Sequence, residues 1–177
     1  MSAPEPRTKQ AYETALSTLV GRSIRSVSYF ELDVGSSEPL WNRLSDSYDS
    51  LDFGFEWRLD DETLCSCIWG WEFAAHDVSI SFAKFEALQS AKQWDVTEHW
   101  RARGLLENRI VNVEVTWLGA LADATRLYPQ DVCVRFSSGA SIVISAFEAP
   151  NTVNADHITV FFDETEAYSA LRPRFLH

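Results

Sequence analysis

The segment LDFGFEWRLDDETLCSCIW, residues 51–69, decides the fold. Every second residue in its first half is large and apolar: Phe53, Phe55, Trp57 and Leu59. A period of two places such side chains on one face of a β-strand. Asp60, Asp61 and Glu62 interrupt the alternation, and residues 63–69 resume an extended pattern. We therefore predict a β-hairpin with a buried aromatic face and an acidic tip.

A second segment, residues 131–147, repeats this design. Its alternating apolar residues are Val132, Val134 and Phe136. The turn, residues 137–139, reads Ser-Ser-Gly, and the chain then returns through residues 140–147. The second hairpin therefore has the same pattern as the first, with a neutral tip in place of an acidic one.

The two hairpins belong to a longer internal correspondence. Residues 19–27 match residues 105–113 at an offset of 86, and the hairpins match at an offset of 77. Residues 78–82 match residues 158–162 at an offset of 80. The offset changes only in loops, where insertions and deletions are tolerated. Alternating strands also resemble one another by chance, but the order of the matches favours a duplication.

The pattern predicts an α+β fold that is mostly antiparallel β, in a single domain of 177 residues. Two similar four-stranded halves, about residues 8–83 and 94–163, would pack about a pseudo-twofold axis. The product would be a sandwich or a partly closed barrel with short flanking helices. A cleft between the halves would be a candidate ligand site, since pockets favour such interfaces.

Local signals place the helices and the long connections. Thr8 and Asp163 are predicted helix N-caps, and Asp95–Glu98 matches the capping box. Two polar segments, residues 33–50 and 120–130, are predicted to be long connections between the first strand and the hairpin of each half.

The net charge of −11 is the main global bias. An acidic surface repels nucleic-acid phosphates and anionic membranes, so we expect neither as a partner. It attracts a protein partner with a basic surface, although acidity also serves solubility alone.

The cysteines and the N-terminus indicate a reducing compartment. Cys65, Cys67 and Cys133 are an odd number, and no signal peptide or membrane-length apolar run is present. We expect a cytoplasmic protein with structural cysteines. The spacing of Cys65 and Cys67 is a weak metal signal, and we predict no metal site and no cofactor.

No nucleotide-binding, nucleophile-elbow or zinc-protease pattern occurs in the sequence, which favours a protein that is not an enzyme. One alternative remains open. His76 beside Asp77, and Asp156 beside His157, begin two equivalent strands and could form a symmetric metal or acid–base site. Strand starts are also ordinary places for polar residues.

Exposed charge and one tryptophan are the candidate partner-binding features. Acidic residues cluster before the first hairpin and at its tip, and Trp41 lies in a polar segment. The predicted contact residues are Trp41, Asp46, Asp49, Asp60, Asp61 and Glu62.

In general character the chain is similar to small acidic immunity proteins that neutralise bacterial toxins, a likeness of type that transfers no site. It implies a non-enzymatic inhibitor that caps a basic toxin domain with its acidic loops. The alternatives are a small-molecule-binding β-barrel or sandwich with an aromatic cleft, and an enzyme with a His/carboxylate site.

Overall fold

The computed structural model of the chain describes residues 8–41, 46–70, 73, 77–120, 123–147 and 157–171. This part holds three helices: α1 Lys9–Ser17, α2 Thr97–Ala102 and α3 Glu164–Leu171. It also holds ten strands: β1 Ile24–Glu31, β2 Tyr48–Leu51, β3 Gly54–Leu59, β4 Leu64–Gly70, β5 Asp77–Ser81, β6 Lys92–Asp95, β7 Ile110–Ala120, β8 Asp123–Phe136, β9 Ser141–Ser145 and β10 Ile158–Phe161.

The predicted fold class is confirmed. The strands form two antiparallel sheets, one in the order β5-β4-β3-β1-β6 and the other in the order β2-β10-β9-β8-β7. The sheets do not close into a barrel, so the arrangement is the sandwich. Each sheet has five strands, because β2 and β6 add to the four that the pattern predicted for each half.

The alternation in the opening segment does bury one face. Phe55, Trp57 and Leu59 are each at most 2% exposed, whereas Arg58 between them is exposed. Phe53 precedes β3 and is only half-buried. The alternating residues of the second hairpin join the same core cluster: Val132, Val134 and Phe136. Burial at roughly 25 cal/mol per Å² of apolar surface makes this shared interior the main source of stability.

The two halves pair their strands in the same register. Ile24 lies opposite Leu59, and their counterparts at the predicted offsets, Ile110 and Phe136, lie opposite each other. A bulge follows both pairs. All five residue pairs between β3 and β4 recur between β8 and β9 at the offset of 77. The sequence offsets therefore mark equivalent positions, while a single domain that arose by duplication stays a prediction.

Equivalent residues of the two halves also meet. Ser23 forms an isolated antiparallel bridge with Arg109, its counterpart at the offset of 86. Two flanking hydrogen bonds interchange when the halves are exchanged: Gly21 N–H to the Ile110 carbonyl at 2.8 Å and Glu107 N–H to the Ile24 carbonyl at 3.1 Å. A local twofold axis therefore passes beside Ser23 and Arg109.

β2 and β6 cross the boundary between the halves. β2 pairs with β10 in the second sheet, and β6 pairs with β1 in the first. The predicted connection over residues 33–50 therefore ends in a strand. The other predicted connection, residues 120–130, is wrong. β7 and β8 form one long hairpin there, because pairing continues past a bulge after Thr116 until Ala120 lies opposite Asp123.

The predicted N-caps Thr8 and Asp163 are confirmed, whereas the predicted capping box over Asp95–Glu98 is wrong. The Thr8 hydroxyl accepts a hydrogen bond from Ala11 N–H at 3.1 Å, and the Asp163 carboxylate accepts one from Glu166 N–H at 3.0 Å. The Asp95 carboxylate accepts one from Thr97 N–H at 2.9 Å, although α2 takes Val96 as its N-cap residue.

The start of β3 allows no side chain at residue 54. A Cβ added to Gly54 would lie 2.0 Å from the Cys67 carbonyl oxygen, inside the β3–β4 pair. We expect Gly54→Ala to lower the free energy of unfolding by about 3 kcal/mol. Gly139→Ala is the control, because a Cβ there meets nothing within 4 Å and only the φ of 88° adds a cost, about 1 kcal/mol. Urea denaturation measures both, and equal losses would contradict the steric explanation.

Candidate functional site

The acidic tip of the first hairpin is exposed but partly neutralised. Asp60, Asp61 and Glu62 are all exposed. Arg22 lies 2.8 Å from the Asp61 carboxylate, and Arg58 lies 3.6 Å from that of Glu62. Asp60 has no ion pair with any described residue. The tip therefore presents one uncompensated carboxylate and two that an incoming cation would share.

The backbone of the tip also fixes where these carboxylates lie. Hydrogen bonds from Thr63 hold the pKa of Asp61 below its ordinary value, with the Arg22 guanidinium contributing. Glu62 adopts a left-handed φ of 67°, and Gly139 takes the same position in the other half with a φ of 88°. Both tips are thus built alike, and the acidic side chains are the difference between them.

Asp49 does not lie at the surface, where a partner contact would need it. Its carboxylate is buried, accepts a hydrogen bond from the Tyr29 hydroxyl at 2.7 Å, and contacts His99 Nε2 at 2.8 Å. The Trp100 indole N–H donates to the same Tyr29 oxygen at 2.8 Å. Because Tyr29 belongs to β1 and Asp49 to β2, this network joins the two sheets across the core.

The electrostatics of the network follow from burial and charge. Burial, together with the Asp49 carboxylate, raises the pKa of Tyr29 well above its ordinary value, so the hydroxyl stays protonated and donates. Arg103 Nη1 lies 3.0 Å from His99 Nδ1. Since guanidinium groups only donate, Nδ1 accepts and Nε2 carries the proton given to Asp49. The imidazole therefore links a carboxylate to a guanidinium.

This arrangement resembles an acid–base dyad but leaves no nitrogen free for chemistry. Both ring nitrogens of His99 are occupied, and the imidazole is covered by Trp41 with ring centroids 4.6 Å apart. Arg103 in turn stacks on Phe162 at 4.2 Å. The network is suited to holding elements together.

Two further predicted contact residues lie beside this network. Trp41 packs against Tyr29 with ring centroids 5.0 Å apart and is partly buried on the core. Asp46 is exposed, and its backbone carbonyl accepts a hydrogen bond from Arg103 at 3.1 Å. Contact of either residue with a partner stays a prediction.

The aromatic side chains fill the space between the sheets. Phe55, Trp57 and Trp100 are essentially unexposed, and their rings contact one another at centroid distances of 5.0 to 6.2 Å. A groove of about 540 Å³ near the twofold axis is polar instead, with Ser23, Arg25, Asp60 and Glu107 as its lining. Nothing in this groove resembles the predicted aromatic cleft.

Only one residue of each predicted histidine–aspartate pair lies in the described part of the chain. His76 and Asp156 lie outside the described residues. His157 Nε2 lies 3.1 Å from the Asp52 carboxylate, in the loop between β2 and β3. The hydrogen bond to His157 is the main reason that the pKa of Asp52 is lowered. Asp77 is buried and accepts hydrogen bonds from Phe73 N–H and the Ser79 hydroxyl.

The cysteines are unsuited to nucleophilic chemistry. All three are buried free thiols. Burial raises the pKa of Cys65 and of Cys133 to about 12 and that of Cys67 well above its ordinary value. Within the described ranges, no group of three or more His, Cys, Asp or Glu side chains could hold a metal ion. Nor does any described helix have the length and apolar character needed to cross a membrane.

The chain was compared with protein-family models, curated proteins and solved structures, and none of the three comparisons gave a match. Its function must therefore be argued from its own residues.

Sequence patterns missed the buried network. Tyr29 lies on a strand whose two faces are both mixed, Asp49 follows a polar run, and His99 directly follows the predicted capping box. A carboxylate, a phenol and an imidazole far apart in sequence carry no joint signal until β2 is known to enter the second sheet.

Removal of the buried carboxylate should be costly. Asp49→Ala leaves the donors of Tyr29 and His99 unpaired in the core, and we expect a loss of about 3 kcal/mol or more in the free energy of unfolding. Asp46→Ala, three residues earlier at the surface, should change it by less than about 0.5 kcal/mol. Chemical denaturation of both variants measures the difference. A mild effect of Asp49→Ala would show that the network does not hold the sheets.

The Asp52–His157 pair should contribute a stability that is lost in acid. Because the folded-state pKa of Asp52 is lowered, its contribution is present above the carboxyl pKa of the unfolded chain, about 3.9, and disappears as the pH falls through the folded value. We expect Asp52→Asn to cost about 0.5 kcal/mol near pH 6 and progressively less as the pH falls below about 3.9. Thermal melts against pH, with His157→Gln as the matched partner change, measure it. Additive losses in the double variant would contradict a direct pair.

Proposed function

We propose that this chain is a non-enzymatic binding protein that recognises a basic protein partner through the acidic tip of its first hairpin. The observation that carries the proposal is the difference between the two tips. They share one backbone geometry, yet only the first carries three exposed carboxylates, Asp60, Asp61 and Glu62. The second tip adopts the same backbone geometry without acids, which supports a role for the acidic side chains at the surface.

The charge of the whole chain supports the same proposal. A net charge of −11 attracts a basic partner over a distance of about one Debye length and speeds association. The arginines at the tip do not cancel this, since Arg22 and Arg58 each pair with one carboxylate and leave Asp60 unpaired among the described residues. A toxin domain that binds phosphates is a partner of this kind, and the mechanism would be occlusion of its basic site.

The tip variant tests the proposal. The natural partner is first captured from a lysate of the native host with the immobilised chain, and the neighbouring genes are read for a toxin-like frame. The association rate with that partner is then measured for the wild type and for Asp60→Asn/Asp61→Asn/Glu62→Gln. We expect about a tenfold slower rate at low salt and a smaller difference at high salt.

A charge-matched variant separates the tip from the net charge. Asp33, Glu38 and Glu86 are exposed and lie elsewhere in the chain, after β1 and before β6. Asp33→Asn/Glu38→Gln/Glu86→Gln removes the same three charges. If this variant slows association as much as the tip variant does, or if the tip variant associates as fast as the wild type, the tip is not the contact.

A further inference from the structure

The two sheets differ at both edges, because β2 extends only the second sheet and β6 extends only the first. In the first sheet β6 lies along β1, with Tyr29 opposite Trp94. In the second sheet the strand equivalent to β1 is β7, and within the described part of the chain β7 pairs only with β8. In the second sheet, no described strand therefore fills the position that β6 fills in the first.

Along this edge of β7, the described residues leave backbone groups without a partner that β1 pairs in the first sheet. In β1 the backbone N–H and carbonyl of Val27 point away from β3. The N–H donates to the Thr97 hydroxyl at 3.2 Å, and the carbonyl accepts from Val96 N–H at 3.0 Å. The counterpart of Val27 at the offset of 86 is Val113, so its backbone N–H and carbonyl point away from β8. Because these directions alternate along a strand, the backbone groups of Val115 point the same way. No described residue forms a hydrogen bond with the backbone of Val113 or Val115 outside the sheet.

The side chains along β7 are also more exposed than their counterparts along β1. Val27 and Tyr29 are 1% and 0% exposed, whereas their counterparts Val113 and Val115 are only half-buried. A groove of about 580 Å³ runs along this edge, between α1 and residues 112–116 of β7. Two of the exposed large apolar side chains line it: Val20 at 47% and Tyr168 at 37% exposed.

The charge of the groove favours a basic segment over a second copy of this acidic chain. Glu13, whose carboxylate lies 3.8 Å from Lys9 Nζ, lies on one wall and Glu114 on the other. Arg135 bridges Glu114 at 2.9 Å and Glu164 at 2.7 Å, so this cluster keeps a net negative charge. A second copy of the chain fits poorly, because pairing of two β7 edges would bring the two Glu114 side chains near each other and two strongly acidic chains together.

We propose that the free edge of β7 binds an extended segment of a partner protein by strand addition, with a large apolar residue facing Val115 and a basic residue opposite Glu114. The segment would complete the second sheet as β6 completes the first. This site is separate from the acidic hairpin tip, and the proposal stands whether or not the tip binds a partner.

β6 itself supplies the probe. The acetylated, amidated peptide Ala-Lys-Gln-Trp-Asp-Val copies residues 91–96, and in the first sheet Asp95 lies opposite Ser28, the counterpart of Glu114. The peptide Ala-Lys-Gln-Trp-Lys-Val places a lysine there instead. Titration of either peptide into the wild-type chain should shift the amide NMR signals of Val113 and Val115. We expect the lysine peptide to bind about three- to fivefold more tightly than the aspartate peptide. Glu114→Lys should reverse the preference.

Matched N-methyl peptides test the main-chain contact. In the β6 geometry the Trp N–H faces the neighbouring strand and the Gln N–H faces away. N-methylation at Trp should abolish the shifts, and N-methylation at Gln should preserve them. Equal binding of the two, or no shift at β7, would overturn the proposal. Slow exchange of the Val113 and Val115 amides in the free chain would also overturn it, because another part of the chain or a second copy would then cover the edge.

Substitution of the hairpin tip separates the two binding proposals. Asp60→Asn/Asp61→Asn/Glu62→Gln should leave the peptide shifts unchanged, since the tip does not line this groove. Failure of the tip variant to alter partner association, with peptide binding intact, would remove the function proposed for the tip and keep the strand-addition site.

Discussion

The buried carboxylate of Asp49 constrains the rest of the structure. A charge is tolerated inside an apolar core only when hydrogen-bonding partners compensate for its lost hydration. Its partners, Tyr29 and His99, come from β1 and α2, whereas Asp49 itself lies on β2 in the opposite sheet. Both hydrogen bonds reach one carboxylate oxygen, Oδ2, and they form only when β2 has crossed to the second sheet and α2 has packed on β1. The other oxygen, Oδ1, is buried without a hydrogen-bond partner among the described residues. One interaction thus ties both sheets and a helix into a single arrangement.

The twofold arrangement, more than residue type, sets the backbone at the turns. Gly21 and Glu107 occupy equivalent positions with φ values of 88° and 65°, and Glu62 and Gly139 form a second such pair. In each pair one half has glycine and the other glutamate, at a cost of about 1 kcal/mol for the glutamate. Since the glutamate keeps the left-handed conformation, the surrounding hydrogen bonds must enforce it. Where the halves differ in sequence but not in backbone, the difference lies in what they present to solvent.

Periodicity in the sequence was sufficient for the parts of the fold that depend on local pattern. Alternating residues such as Phe55 and Trp57 revealed the hairpins, and the constant offsets revealed the repeat, because burial of one strand face imposes a period of two. β2 was missed because Tyr48–Leu51 places a buried aspartate between polar neighbours. The strand in residues 123–130 was missed because Pro129 and the charged residues around it indicate a loop, although pairing with β7 overrides that preference. Contacts between distant residues leave no periodic signal.

The proposed function depends on which reactive and hydrogen-bonding groups remain available at the surface. Catalysis needs a base or nucleophile with a free atom in a cleft. Among the described residues, the nitrogens of His99 are committed to Asp49 and Arg103, and the thiols are buried and protonated. Two features among the described residues face solvent without a partner of their own. They are the Asp60 carboxylate, which has no ion pair, and the backbone of β7 at Val113 and Val115. Charge and main-chain hydrogen bonding are the means of recognition that our two binding proposals use. Because β1 pairs with β6 along the edge where its counterpart β7 has no described partner, the sandwich already contains an internal example of the strand pairing that we propose for β7.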